Sequence, residues 1–157
     1  MIGSRDVVVA KKIGIDGSDS CIAWSFILDN IEKVADHIVE IAESIPPVLK
    51  GEIPEEIFEP FKESLELIRG LLEKILNALI EARIGLEDMN VNNTLEEINS
   101  FLKKMSQVLF LILEQKFEGE LGLSLENIYF HLNEITKRCI GFVRVIIHYR
   151  QWIQMKM

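Results

Sequence analysis

The segment "ILDNIEKVADHIVEIAES" (residues 27–44) carries a row of acidic side chains on a helical pattern. At about 100° per helical residue, five carboxylates fall within an arc of about 80°. We call them the acidic stripe: Asp29, Glu32, Asp36, Glu40 and Glu43. Carboxylates one turn apart repel each other, but they can also bridge a hard cation such as Mg²⁺, Mn²⁺ or iron. The spacing therefore fits both a solvated acidic surface and a cation site, with Glu32, Asp36, Glu40 and Glu43 as metal contacts and Asp29 as a weaker addition.

The apolar residues of the same helix predict its buried side. They occupy the arc opposite the acidic stripe, where a core-facing surface is expected: Trp24, Leu28, Ile31, Val34, Ala35, Ile38, Val39, Ile41, Ala42 and Ile45. His37 falls outside the acidic arc, and we expect it to be exposed to solvent.

The rest of the chain predicts an all-α fold, an antiparallel bundle of about four long helices. Residues 5–13 are expected to form either a helical stub or a strand, the strand being considered because Val7, Val8 and Val9 are all β-branched. Pro46 and Pro47 are expected to end the first long helix, Pro60 to kink the second, and "EGELGLS" to form the last turn. The predicted helices cover about residues 18–45, 54–84, 93–117 and 124–153.

Composition restricts the class of function. The 157 residues predict a single domain, and the net charge of −8 argues against nucleic-acid binding. The longest apolar run, Val108 to Leu113, is too short to span a membrane, and no signal peptide is recognised, so a cytoplasmic protein is expected. Cys21 and Cys139 have no CxxC or Cys/His companion and fit reduced core thiols, with a single disulfide as the alternative. No phosphate loop and no nucleophile motif is recognised, so no enzyme is predicted.

Residues 31–43, "IEKVADHIVEIAE", resemble the signature of PhoU proteins, the regulators of phosphate uptake. The preceding "KKIGIDGSDSCIAWSFILDN" is similar to the approach to this helix in archaeal PhoU-like proteins. The resemblance implies three-helix repeats with a Glu-x-x-x-Asp motif that can hold a metal ion, carried here by Glu32 and Asp36, with Glu43 as the trailing acid. It also implies a non-catalytic regulator that contacts the phosphate transporter's ATPase and a sensor kinase.

The chain departs from that family pattern in three ways. Asn133 and Lys137 take the places of Glu and Asp in the last helix, so a second metal site is not expected. By the resemblance, the chain is expected to hold one helix of a first repeat (18–45) followed by one complete repeat (54–154), and no DNA-binding domain is expected ahead of it. A helix without its two bundle mates must bury its apolar arc elsewhere, which predicts a protomer that self-associates into a homo-oligomer.

One alternative of a different class stays open. A metal-free helical scaffold or oligomerisation module with no link to phosphate would show the same periodicity. The all-round apolar run "QVLFLIL" (residues 107–113) fits a buried helix or an oligomer interface in either case.

Overall fold

The computed structural model describes residues 18–80 and 91–156 and contains four α-helices in those ranges. They are α1 (Ser18–Lys50), α2 (Glu55–Ile80), α3 (Val91–Gln115) and α4 (Gly119–Lys156). No strand occurs within these ranges, which confirms the all-α prediction. The predicted opening element at 5–13 and the predicted end of the second helix near residue 84 lie outside the described residues. None of the described helices is long and apolar enough to cross a membrane.

The end of α1 differs from the prediction, because the helix continues through Pro46 and Pro47 to Lys50. The two prolines remove backbone donors, which is why the sequence predicts a stop there. Val48, one turn beyond Ser44, packs against the core. We attribute the continuation to this burial, since tertiary packing routinely overrides local propensity. The helix then closes where the Gly51 N–H donates to the Pro47 carbonyl at 3.1 Å.

The last turn is shorter than predicted, because α4 begins at Gly119 and not at Ser124. The chain reverses at Lys116 and Gly119, whose φ angles of 47° and 66° lie in the left-handed region. Leu121 packs against the core, so the residues predicted as turn form the first turns of α4 instead. Similarly, α3 begins at Val91, two residues before the predicted start of that helix at about residue 93.

Helices α2, α3 and α4 pack against one another in all three pairings and enclose an apolar core. Their buried residues recur at alternating intervals of three and four, which places them on one face of each helix. The rows are Ile57, Phe61, Ser64, Ile68 and Leu71 on α2; Ile98, Phe101, Met105, Val108 and Ile112 on α3; and Leu125, Ile128, Leu132, Ile135, Cys139 and Phe142 on α4.

Helix α1 pairs with α4 alone among the described helices. Its buried apolar residues are Ile27, Val34 and Ile41, seven residues apart. A single neighbour covers only a narrow side of a helix, so most of the predicted core face is not buried. That prediction was wrong for six of its members, because Leu28, Ile31, Ala35, Ile38, Val39 and Ala42 are exposed; the side chain of Trp24 lies outside the described residues.

Candidate functional site

The acidic stripe lies on the exposed surface of α1 along its whole length. Each of its five carboxylates belongs to an exposed residue. Within the described ranges, no lysine or arginine forms an ion pair with any of Asp29, Glu32, Asp36 and Glu43. The stripe is therefore a surface of uncompensated negative charge as far as the structure describes it.

The four predicted metal contacts follow one another along this surface. Glu32 and Asp36 lie one helical turn apart, as the sequence predicts. Glu40 is the member that approaches a neighbouring helix, with its Oε2 at 3.9 Å from Nε2 of His131 on α4. Among residues 18–80 and 91–156, no three His, Cys, Asp or Glu side chains are grouped so as to hold a metal ion. The cation site stays a prediction from the sequence.

Beside the stripe, the α1 side of the α1–α4 interface alternates apolar and polar layers. The apolar layers are Ile27, Val34, Ile41 and Val48, spaced by seven residues. The polar layers between them are Asn30, His37 and Ser44, also spaced by seven. A strict seven-residue repeat on both sets is the pattern of two helices that pack along a coiled-coil seam. Each polar layer is hydrogen-bonded to a side chain of α4.

The central polar layer joins His37 to His131. Their Nδ1 atoms lie 2.8 Å apart, with ring centroids at 5.1 Å. One imidazole must donate and the other accept, so this hydrogen bond forms when both rings are neutral or when one is protonated, but not when both are. His131 is buried, and its ring packs nearly perpendicular to that of Phe130 at a centroid distance of 5.1 Å. His37 is thus half-buried and paired, which corrects the expectation that it is solvent-exposed.

Burial lowers the pKa of His37 below its usual value of 6.5. Repulsion from His131 and Arg138 lowers this pKa further, whereas the charges of Glu134 and Asp36 oppose the shift. The hydrogen bond that Lys137 Nζ donates to Glu134 Oε1, at 2.8 Å, is the main cause that lowers the pKa of Glu134. The His37 imidazole is consequently neutral at neutral pH, which the hydrogen bond to His131 allows.

The two outer polar layers, Asn30 and Ser44, form side-chain hydrogen bonds with α4. Arg138 Nη1 donates to Asn30 Oδ1 at 2.9 Å, while the Asn30 amide donates to the Phe26 carbonyl at 2.8 Å. At the other end, the Asn127 amide donates to Ser44 Oγ at 2.8 Å. Ser44 and Asn127 also line an open cleft of about 460 Å³ with Glu120, Leu123, Ser124, Glu126 and Phe130.

The α4 stretch that corresponds to the acidic motif holds no second cluster of carboxylates. Lys137 is exposed and pairs with Glu134, and Asn133 is half-buried. Cys139 is fully buried, and burial raises the pKa of its thiol to about 12, so it stays protonated as a core residue.

The sequence of α1 contains a signal for the α1–α4 interface, although the predicted core face lay on another side of the helix. With a period of 3.6 residues, the larger set of apolar side chains determines which side is predicted to be buried. The seven-residue recurrence of Asn30, His37 and Ser44 between β-branched residues is the signal that could have located the interface. Their partners on α4 could not be inferred, because pairing depends on the register of two distant helices.

Comparison of the chain with models of protein families, with curated proteins and with solved structures finds no match. The similarity of residues 31–43 to the PhoU signature accordingly remains a prediction from the sequence.

Proposed function

We propose that this protein is a non-catalytic regulator that acts by protein–protein contact in the cytoplasm, in the manner of the PhoU proteins it resembles. The exposed acidic stripe of α1, which no described lysine or arginine neutralises, carries the proposal. Uncompensated charge of one sign steers a partner of the opposite sign and sets its orientation. By the resemblance, the partners are a phosphate transporter's ATPase or a sensor kinase, and the regulator works as a homo-oligomer.

The first test is retention of those two partners by the tagged protein. The variant Asp29→Asn/Glu32→Gln/Asp36→Asn/Glu43→Gln removes four charges from the stripe. Its matched control, Glu66→Gln/Glu96→Gln/Glu114→Gln/Glu118→Gln, removes four charges from exposed positions elsewhere. We expect the wild type and the control to retain the ATPase or the kinase and the stripe variant to lose it. Failure of the wild type to retain either partner would contradict the proposal.

The finer part of the proposal is that the stripe holds a cation through Glu32, Asp36, Glu40 and Glu43. A ligand that binds the folded state alone stabilises it by roughly 2.7 kcal/mol at a hundred times its Kd. Addition of Mg²⁺, Mn²⁺ or Fe³⁺ to metal-stripped protein should therefore raise its melting temperature in a saturable way. The variant Glu32→Gln/Asp36→Asn should show no such rise. An equal rise in both proteins would place the cation elsewhere, and no rise in either would leave the stripe as a protein-contact surface alone.

A second candidate function is a metal-free scaffold whose role is to assemble copies of itself. The exposed aliphatic residues of α1 favour it, since a helix with one neighbour leaves them uncovered. Under this alternative, the wild type retains neither the ATPase nor the kinase. Neutralising the acidic stripe then leaves stability unchanged or raises it, because it relieves repulsion between like charges.

A further inference from the structure

A second stripe runs along α1 beside its interface with α4, and all of its members are apolar. We call it the apolar stripe. Its positions alternate by three and four residues, as those of a coiled-coil seam do: Leu28, Ile31, Ala35, Ile38, Ala42, Ile45 and Leu49. Six of the seven are exposed, from 37% of the residue surface at Leu28 to 74% at Leu49, and Ile45 is half-buried.

This stripe is more apolar than the interface that α1 already forms. The α1 side of the α1–α4 interface has a polar residue in every second layer, whereas the apolar stripe has none. From Leu28 to Leu49 it extends about 32 Å at 1.5 Å per residue. With a width of about 10 Å, it presents on the order of 300 Å² of apolar surface, at the level where exposed patches on soluble proteins mark interaction sites.

The order of residue types in the stripe is the same in both directions. It reads Leu, Ile, Ala, Ile, Ala, Ile, Leu from either end, with Ile38 at the centre. A parallel pair of identical helices needs no such symmetry, because each residue meets its own copy in any sequence. In an antiparallel pair about a two-fold axis, residue i of one copy faces residue j of the other and j faces i, so this order brings residues of the same type together in every layer.

We infer that the apolar stripe is the interface between two copies of this chain, with the two α1 helices antiparallel and the two-fold axis at Ile38. This inference deepens the self-association that forms part of the proposed function, and it rests on neither the phosphate link nor the cation. Leu28 then faces Leu49 of the second copy, Ile31 faces Ile45, and Ala35 faces Ala42. The alanine layers on both sides of Ile38 let the helix backbones approach closely, and antiparallel helix dipoles attract each other.

The surrounding residues are compatible with this pairing. Around the axis of α1, the centre of the acidic stripe lies well over a quarter turn from the centre of the apolar stripe, and Glu32 is the acidic residue nearest to the apolar stripe. The carboxylates therefore stay at the rim of the interface or in solvent. Pro46 and Pro47 fall between stripe positions and leave the row intact. A stable interface covers about 800 Å² on each partner, with an apolar centre and a polar rim, and the stripe supplies that centre.

The oligomeric state of charged variants provides the test. The Ile38→Asp variant places two carboxylates at the axis of each dimer, while Phe110→Asp puts the same charge on an exposed apolar residue of α3. By light scattering over a concentration series, we expect dimers in the wild type and in Phe110→Asp. Dimerisation of Ile38→Asp should be about 100-fold weaker or more, with its helicity unchanged by circular dichroism. A wild-type protein that is monomeric at all concentrations, or an Ile38→Asp variant that dimerises as the wild type does, would overturn the inference.

Crosslinking determines the direction of the two helices. In a Cys21→Ser background, the remaining native Cys139 is buried, so a cysteine in place of Ile45 is the accessible one. It should not crosslink with itself through a short bis-maleimide. A mixture of Ile31→Cys protein with Ile45→Cys protein should give the mixed dimer, because antiparallel pairing places these positions opposite each other. Self-crosslinking of Ile45→Cys without the mixed product would show a parallel pair and overturn the antiparallel arrangement. Neither result depends on the phosphate transporter, so this test and the retention test fail independently.

Discussion

Two interfaces of α4 differ in what holds them together. Toward α2 and α3, α4 buries an apolar row that includes Leu132 and Ile135. Toward α1, it presents polar side chains that hydrogen-bond to Asn30, His37 and Ser44. Burial of apolar surface stabilises the fold strongly but does not depend on direction. A buried polar pair contributes little net stability, but any other register of the two helices would leave its polar groups without hydrogen bonds, which is unfavourable. We therefore expect the three-helix part to supply most of the stability and the α1–α4 interface to specify how α1 is placed.

The largest expected effect comes from a cavity in the three-helix part. Leu132 is fully buried, and its replacement by alanine should lower the free energy of unfolding by about 2–5 kcal/mol. The same kind of truncation at Val34 in the α1–α4 interface, Val34→Ala, should cost about 1–2 kcal/mol. Urea unfolding followed by circular dichroism measures both. A larger loss at Val34 than at Leu132 would reverse the proposed ranking of the two interfaces.

A smaller effect is expected from the removal of one histidine. The His37→Ala variant removes the hydrogen-bond partner of Nδ1 of the buried His131, which should cost about 1–3 kcal/mol. The loss should be local, so hydrogen exchange should become faster in α1 amides while α2 and α3 amides stay protected.

The double variant His37→Leu/His131→Leu is the matched control for that experiment. Replacing both partners by apolar groups leaves no unsatisfied nitrogen, so stability at pH 7 should be close to that of the wild type or higher. If the double variant were as unstable as His37→Ala, the hydrogen bond would not be the cause of the single variant's loss.

Acidification should weaken the α1–α4 interface specifically. The folded state lowers the pKa of His37 below 6.5, so between the folded pKa and 6.5 the unfolded chain binds the proton more readily. Stability thus falls as the pH decreases below 6.5, levels off below the folded pKa, and is insensitive to this group above 6.5. The lowered pKa of Glu134 acts in the same direction, but only below about pH 4.5, as that carboxylate becomes protonated.

The pH dependence is measured as the urea midpoint between pH 5 and 8 in the wild type and in His37→Leu/His131→Leu. We expect a decline below pH 6.5 in the wild type that is absent from the double variant. An equal decline in both proteins would assign the titration to other groups.

The contrast between the interfaces also explains how much the sequence could predict. The three-helix part follows the simple rule that apolar residues at intervals of three and four face a core. The start of α2 and both ends of α3 were predicted to within a few residues, whereas α4 begins earlier than predicted. The same rule failed for α1, where the residues of the apolar stripe around Ile38 are more numerous than the buried Ile27, Val34 and Ile41. Periodicity reports that a side of a helix is apolar, but it does not report whether the covering partner belongs to the same chain.

The acidic stripe shows the same limit from the polar side. The sequence predicted that Glu32 and Asp36 share one exposed arc, because that depends only on helix geometry. It could not predict that Glu40 lies near His131, since that contact depends on the register of α1 against α4. Sequence patterns are informative within one helix, whereas contacts between helices require their relative placement.

The smallest expected effect is at the exposed contacts between α2 and α3. Lys74 pairs with Glu97 at 3.2 Å, and both side chains are about half exposed. An exposed ion pair contributes about 0–1 kcal/mol, because solvent and salt screen it, so Lys74→Gln should change the urea midpoint little and its effect should vanish at high salt. Lys103→Gln, at an exposed lysine for which the structure shows no ion pair, is the matched control for the change in net charge. A decrease of more than about 1 kcal/mol in the free energy of unfolding that occurs in Lys74→Gln alone and persists at high salt would mean that directional polar contacts matter in the three-helix part as well. The two interfaces of α4 would then differ less than their burial suggests.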